Sequence, residues 1–321
     1  ILHGASKHLR ILGAIGWEPE VKEAFFASGA RELPQVKYAG FDPRKCIEGV
    51  REARRQIVPV TTIDLWLERQ AQAIELGARM LAGVGTPSFF EYGRHLYGEP
   101  NVPLRYLPIT PAAIAQSVID TIEQLARVDI RTAPTAYHTA QKVAADLEVA
   151  VRAHFGDQAP AIELVERLSA NALATSTRIR VRSGARFTDR DFIQLLHHEA
   201  YIHVGTSLNG QFQEDLPILG AGHPGTTRTQ EGLAVYAEVI SGSIELDRMR
   251  LVYLLGLLQV HNFIRASFAA GRADCLSLLF CGKLDLMDMP ALCELYQMGM
   301  LKPARFLPPW ISDPRYLLAI L

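Results

Sequence analysis

Residues 191–205 read DFIQLLHHEAYIHVG, a largely apolar run that three histidines and one glutamate interrupt. The preceding segment SGARFTDRD supplies a turn, and Thr188 or Asp189 is a suitable N-cap for a helix that starts there. An apolar run behind such a cap predicts a buried helix. Ionisable side chains inside a buried helix indicate a catalytic or metal-binding site.

The histidines and glutamate of this run form the pattern HExxxH, with His198, Glu199 and His203. In the common zinc-peptidase pattern HExxH, histidines four residues apart share one helix face, and the glutamate acts as general base. On a regular helix, residues five apart diverge by roughly 140°. A π-bulge inserts one residue and would realign the two rings, and such bulges are frequent at functional sites. The spacing therefore predicts a helix with a local π distortion.

His197 is an alternative to His198 as a metal ligand. It lies six residues before His203, which leaves it roughly 120° out of alignment on a regular helix. We prefer His198 because Glu199 then keeps its position in the motif. A HExxxH string arises often by chance, so the metal prediction needs a second element.

That second element is the segment QEGLAVYAEVI, which predicts a helix beginning near Glu231. A catalytic zinc takes three protein ligands and leaves one position for water. Glu231 is a candidate third ligand, and Gly232 beside it permits close helix packing. Glu238 lies seven residues further on the same face and is a candidate third ligand or a partner of a ligand. Taken alone, Glu231 is also an ordinary acid in the first turn of a helix.

Composition and hydropathy exclude several classes of partner. The net charge is −1, so no overall field favours nucleic acid. No run approaches the roughly 20 apolar residues of a membrane span, and residues 1–10 lack the apolar stretch of a secretory signal. Four cysteines without CxxC spacing are typical of reduced thiols. We expect a cytoplasmic protein; its first residue, Ile1, is consistent with a trimmed fragment.

The pattern along the chain predicts a mainly α fold with a small β-sheet, an α+β protein. Strands are predicted over 161–165 and 177–182. Helices are predicted from Thr61–Thr62, over Ser88–Leu96, from Thr110–Pro111, and as a long segment from Pro134. We expect an N-terminal helical lobe over 1–130 and a catalytic region over 131–321, joined in one continuous domain.

Taken together, HEAYIHVGTSLNGQ and TQEGLAVYAE resemble the bacterial flavohaemoglobin expression-modulating QEGLA motif proteins. These are related to the tubulin tyrosine carboxypeptidase MATCAP, a zinc peptidase with an HExxxH motif. The likeness extends from about Tyr38 to Glu245, with the last part of the chain weakly matched. It implies a zincin-like core in which Zn²⁺ is bound by His198, His203 and Glu231, with Glu199 as catalytic carboxylate. The resemblance does not indicate which substrate this protein acts on.

The hypothesis for the reaction is hydrolysis of a peptide or protein C-terminal tail, in the manner of a carboxypeptidase. The strand RIRVR alternates arginine with branched residues, which favours an exposed edge that could hold an extended peptide. Arg180 and Arg228 are candidates for pairing with a terminal carboxylate. The candidates for oxyanion stabilisation are Tyr201, His223 and Tyr236.

Two other classes of function compete with this hypothesis. The chain could be a catalytically inactive zinc protein that binds peptides or regulates a partner. It could also be a purely structural helical scaffold, which would be favoured if the two motif helices lay far apart.

Overall fold

The computed structural model of the chain describes residues 1–104, 107–127, 137–168, 170–244, 251–313 and 315–318. Helices dominate the first part: α1 Leu2–Ser6, α2 Ile11–Ile15, α3 Pro19–Ala27, α4 Arg44–Arg54, α5 Thr62–Ala82, α6 Pro87–Tyr97 and α7 Pro111–Arg127. The strands follow, with one helix among them: β1 His138–Thr139, α8 Ala140–Phe155, β2 Ala161–Val165, β3 Ala172–Ala174, β4 Arg178–Arg182 and β5 Arg186–Phe187.

The remaining elements are again helical: α9 Asp189–Gln194, a π-helix Leu195–Val204, α10 Gly205–Gln211, α11 Thr227–Ser241, α12 Leu251–Ala269, α13 Met289–Gln297, α14 Pro309–Ser312 and α15 Arg315–Leu318. Short 3₁₀ segments connect several of them, among them Pro224–Thr226 and Ala273–Phe280. This content confirms the predicted mainly α protein with a small sheet. A zincin-like core stays a prediction.

The N-terminal helices begin where their caps predict. Thr61 accepts a hydrogen bond from the backbone of Asp64, whose side chain accepts one from the backbone of Thr61, so α5 starts with a capping box. The predicted start at Thr110–Pro111 is also confirmed. The long helix predicted from Pro134 corresponds to α8, which begins at Ala140, because Thr139 caps it after pairing with Arg186 in a short antiparallel ladder. Pro134 itself lies outside the described residues.

The arginine-rich strand β4 lies at the centre of its sheet, in the order β2-β4-β3. It pairs in parallel with β2 and antiparallel with β3, so the prediction of an exposed edge strand is wrong. Ile179 and Val181 on one face of β4 are fully buried. The opposite face places Arg178 and Arg180 beside Glu163 on β2, which accounts for the alternating pattern without an edge.

Two apolar clusters enclose the π-helix. One joins α1, α4 and α5 to α11, α12 and the C-terminal helices, and it includes Ile202. The other joins α8 and β4 to the motif segment through Ala200 and Val204. The π-helix is therefore packed on opposite sides, which fixes its ionisable residues in place. The first cluster draws on residues from both predicted regions, and a boundary at residue 130 stays a prediction.

Helices α11 and α12 cross at a pair of glycines. A methyl group at Gly232 would lie 2.5 Å from backbone atoms of Gly256, so only glycine fits at this crossing. Helix α11 also contacts the π-helix. Among the described helices, α12 included, none is long and apolar enough to cross a membrane.

Candidate metal centre

The π-helix aligns the two histidines of the HExxxH pattern. In a π-helix the backbone hydrogen bonds link residues five apart, so side chains at that spacing lie one above the other. The ring centroids of His198 and His203 are 4.9 Å apart. The predicted π distortion is confirmed, and it covers 10 residues rather than a single inserted one. Upstream, Thr188 and Asp191 form a capping box that starts the segment at α9.

Helix α11 brings Glu231 to face both imidazoles. One carboxylate oxygen, Oε2, lies 3.8 Å from Nε2 of His198, and Oε1 lies 3.8 Å from Nε2 of His203. The three donor atoms lie within 4.8 Å of one another. The contact between α11 and the π-helix removes the condition under which a purely structural scaffold would be favoured.

The three donors suit a zinc ion. Nitrogen and oxygen ligands sit about 2.0–2.1 Å from zinc, so tetrahedral neighbours are about 3.3 Å apart. The 3.8 Å separations are too long for hydrogen bonds and leave room for an ion between the donors. Two imidazoles and one carboxylate are also a ligand set of catalytic zinc peptidases. The residues present therefore fit the metal.

Glu238 holds His198 from behind. Its Oε1 lies 2.6 Å from Nδ1 of His198 and also accepts a hydrogen bond of 3.0 Å from Nε2 of Gln194. When the N–H at Nδ1 donates this hydrogen bond to Glu238, the neutral ring has its lone pair on Nε2, which faces Glu231. Burial alone lowers the pKa of His198, but the hydrogen bond to Glu238 and the neighbouring carboxylates outweigh it and raise that pKa. Glu238 thus lies behind His198, whereas Glu231 lies among the three atoms that could hold a metal ion.

Glu199 lies beside the donors and under strand β3. Its Oε2 accepts a hydrogen bond of 3.2 Å from the backbone N–H of Ala174. Burial raises the pKa of Glu199 above its ordinary value, and the neighbouring His198 opposes that shift. Burial likewise raises the pKa of Glu231 and pushes the pKa of His203 well below its ordinary value. A carboxyl group whose pKa is raised towards neutrality is suited to accept and return a proton.

His197, Tyr201 and Tyr236 lie outside this donor cluster. The ring of His197 packs edge-on against Tyr201, with centroids 5.1 Å apart. Tyr201 also packs on His154 and belongs to the second apolar cluster. Tyr236 is 1% exposed and packs on Trp310 in the first cluster, and its role in oxyanion stabilisation stays a prediction.

The two predicted carboxylate-binding arginines are engaged elsewhere. Arg180 pairs with Glu163 at 3.4 Å on the sheet. Arg228 donates a hydrogen bond of 3.4 Å to the carbonyl of Tyr97 and lines a cavity of about 480 Å³ between α5 and α6. Both have partners that do not belong to the donor cluster.

Two basic side chains accompany the donor cluster instead. The predicted residue His223 is 5% exposed. Lys283 was not predicted, since its segment CGKLD carries no motif and follows Glu231 only after a long interval. The loop of Lys283 is held against the start of α11, where the backbone N–H of Leu286 donates a hydrogen bond of 3.0 Å to Oγ1 of Thr229, two residues before Glu231. The positive charge of Lys283 accordingly acts to lower the pKa of His203, His223 and Glu231.

Comparison with known proteins gives one family. The family model described as microtubule-associated tyrosine carboxypeptidase matches residues 23–252 and 251–321. The match is longer than the resemblance from Tyr38 to Glu245, because it includes the C-terminal part that we expected to match weakly. No curated protein and no solved structure matches significantly. The chain belongs to the microtubule-associated tyrosine carboxypeptidase family.

Proposed function

We propose that this protein is a zinc-dependent carboxypeptidase that hydrolyses a peptide bond near the C-terminus of a peptide or protein. The observation that supports this most strongly is the convergence of His198, His203 and Glu231 within 4.8 Å, next to Glu199. Membership of a carboxypeptidase family supports the reaction class independently of that geometry.

In this proposal His198, His203 and Glu231 hold the zinc. A bound zinc would act as a Lewis acid towards the scissile carbonyl and a water molecule. Glu238 accepts a hydrogen bond from Nδ1 of His198 and so keeps the proton of the neutral ring on Nδ1. Nε2 is then unprotonated and free to bind the metal. Packing on two apolar clusters holds the π-helix still, so little ordering is needed when the metal binds.

Glu199 serves as general base and then as general acid. Its raised pKa makes it a better proton acceptor than an exposed carboxylate and lets it return the proton to the leaving amine. The hydrogen bond from Ala174 fixes Oε2, so Oε1 is the oxygen available for the proton transfer. Both roles require Glu199 to sit beside the donors rather than among them.

In this proposal the peptide binds along the edge of strand β3, and not along β4 as the sequence pattern suggested. Asn171 and Thr175 direct their hydrogen bonds to β4, so the backbone groups of Ala172 and Ala174 point away from the sheet. The N–H of Ala174 points to Glu199, and an extended peptide laid along this edge would pass beside the donor cluster.

The test is mass spectrometry of defined peptides incubated with zinc-loaded protein. We expect release of C-terminal residues by the unaltered protein. Glu199→Gln should retain zinc and lose about 10²- to 10⁴-fold in rate, the usual contribution of a general acid–base group. A zinc-loaded protein that binds peptides but hydrolyses none would refute the proposal and favour the inactive peptide-binding class.

A further inference from the structure

The positively charged ammonium group of Lys283 has no acidic partner among the described residues. Among the described residues, its Nζ forms neither a hydrogen bond nor an ion pair within 4 Å. Its loop nevertheless lies against α11, because the backbone N–H of Leu286 donates a hydrogen bond of 3.0 Å to Thr229, two residues before Glu231. A partly buried ammonium without a partner is costly, and a ligand carboxylate would relieve that cost.

His223 adds a second donor to the same region. Its Nδ1 accepts a hydrogen bond of 3.3 Å from the backbone N–H of Gly225, so the neutral ring carries its proton on Nε2. That Nε2 is buried and has no hydrogen-bond partner among the described residues. A methyl group at Gly222, the residue before His223, would lie 3.4 Å from Nζ of Lys283, so the two side chains belong to adjoining segments.

The loop around Leu219 keeps Lys283 in this position. The backbone N–H of Lys283 donates a hydrogen bond of 2.7 Å to the carbonyl of Leu219. A methyl group at Gly282 would lie 2.6 Å from the Leu219 side chain, and one at Gly222 would lie 3.4 Å from Lys283 Nζ. Glycine at these positions lets the loops approach and leaves the ammonium group space.

We infer that Lys283, with His223 beside it, binds the terminal carboxylate of the substrate and thereby restricts the enzyme to free C-terminal ends. The inference rests on the proposed function, since it places this carboxylate next to the same donor cluster. A fixed cation near the reacting centre sets how far the scissile bond can lie from the chain end. Arg180 and Arg228, which have other partners, are not required for this role.

A purely structural role for Lys283 makes a different prediction. If the lysine only balanced the charge of Glu231, its loss would change zinc retention or stability. The rates on all peptides would then change by the same factor. If Lys283 binds the carboxylate, its loss should lower the rate of hydrolysis selectively for peptides with a free terminal carboxylate. The ratio of rates on matched acid and amide peptides therefore separates the two roles.

The experiment compares one peptide as a C-terminal acid and as a C-terminal amide, with zinc content measured in every sample. We expect the unaltered protein to favour the acid in kcat/KM. Lys283→Met should reduce this preference about 10- to 100-fold, in line with loss of a charged hydrogen bond. Lys283→Arg should retain part of it. The matched control is Lys302→Met, since Lys302 pairs with the exposed Glu214 at 3.2 Å and its loss should leave the preference unchanged.

Binding measured in the Glu199→Gln background separates the inference from the proposed function. There the acid peptide should bind more tightly than the amide, and Lys283→Met should remove the difference. An unchanged acid preference in Lys283→Met, with zinc retained, overturns the inference while hydrolysis continues. Absence of hydrolysis in the unaltered protein, with a Lys283-dependent binding difference, overturns the proposed function and keeps the carboxylate site.

Discussion

The hydrogen bond from His198 to Glu238 should control how tightly zinc binds. Its 2.6 Å length and the buried Glu238 side chain, 6% exposed, make it a strong charge-assisted bond. Glu238→Gln keeps an oxygen of nearly the same position for His198 and Gln194 but removes the negative charge. The imidazole then loses basicity at Nε2, the atom that faces Glu231.

The expected effect is a loss of zinc affinity. Replacing a carboxylate behind a metal-bound histidine typically costs about 10- to 100-fold in affinity. That corresponds to about 1.4–2.7 kcal/mol of binding free energy. Because Glu238 is buried and the hydrogen bond is short, we expect the upper half of this range. Competition with a fluorescent chelator of known affinity measures the change.

The His138–Asp189 pair supplies the matched control. Its atoms Nε2 and Oδ1 are also 2.6 Å apart, but the Asp189 side chain is 75% exposed and the pair lies outside the donor cluster. Asp189→Asn should leave zinc affinity unchanged. An equal loss in both variants, or no loss in Glu238→Gln, would refute the reasoning that the bond acts through His198.

Two further predictions concern stability. Gly232→Ala should destabilise the protein by at least about 1–3 kcal/mol in chemical unfolding, because the added methyl would overlap the backbone of Gly256, whereas Gly13→Ala, with nothing within 4 Å, should cost nothing. Burial lowers the pKa of His223 to about 4, so the unfolded chain takes up this proton first as the pH falls. His223 should therefore contribute a loss of about 3 kcal/mol of stability between about pH 6.5 and pH 4, and His223→Gln should reduce the pH dependence by that amount; equal slopes in the two proteins would contradict it.

The local features of the donor cluster could be predicted from the sequence. The five-residue spacing of His198 and His203 demands a π distortion for both rings to share a face, and the structure has one. Capping residues located the starts of α5 and α7 for the same reason, since a cap acts on its own helix. The choice between Glu231 and Glu238 depended on how α11 packs, which spacing along one helix does not specify.

The features that depend on distant neighbours could not be predicted. Alternation in β4 shows which residues share a face, but not which strands flank it, and the three-residue β3 is too short and plain to detect. The position of Lys283 depends on the packing of its loop against Leu219. A lone lysine between a glycine and a leucine carries no signal of such a contact.

Elemental mass spectrometry of the protein after exhaustive dialysis measures whether the cluster of His198, His203 and Glu231 holds zinc. We expect about one zinc per chain in the unaltered protein, and little or none in folded Glu231→Ala. A folded, unaltered protein that retains no zinc, or an unchanged zinc content in Glu231→Ala, would contradict it.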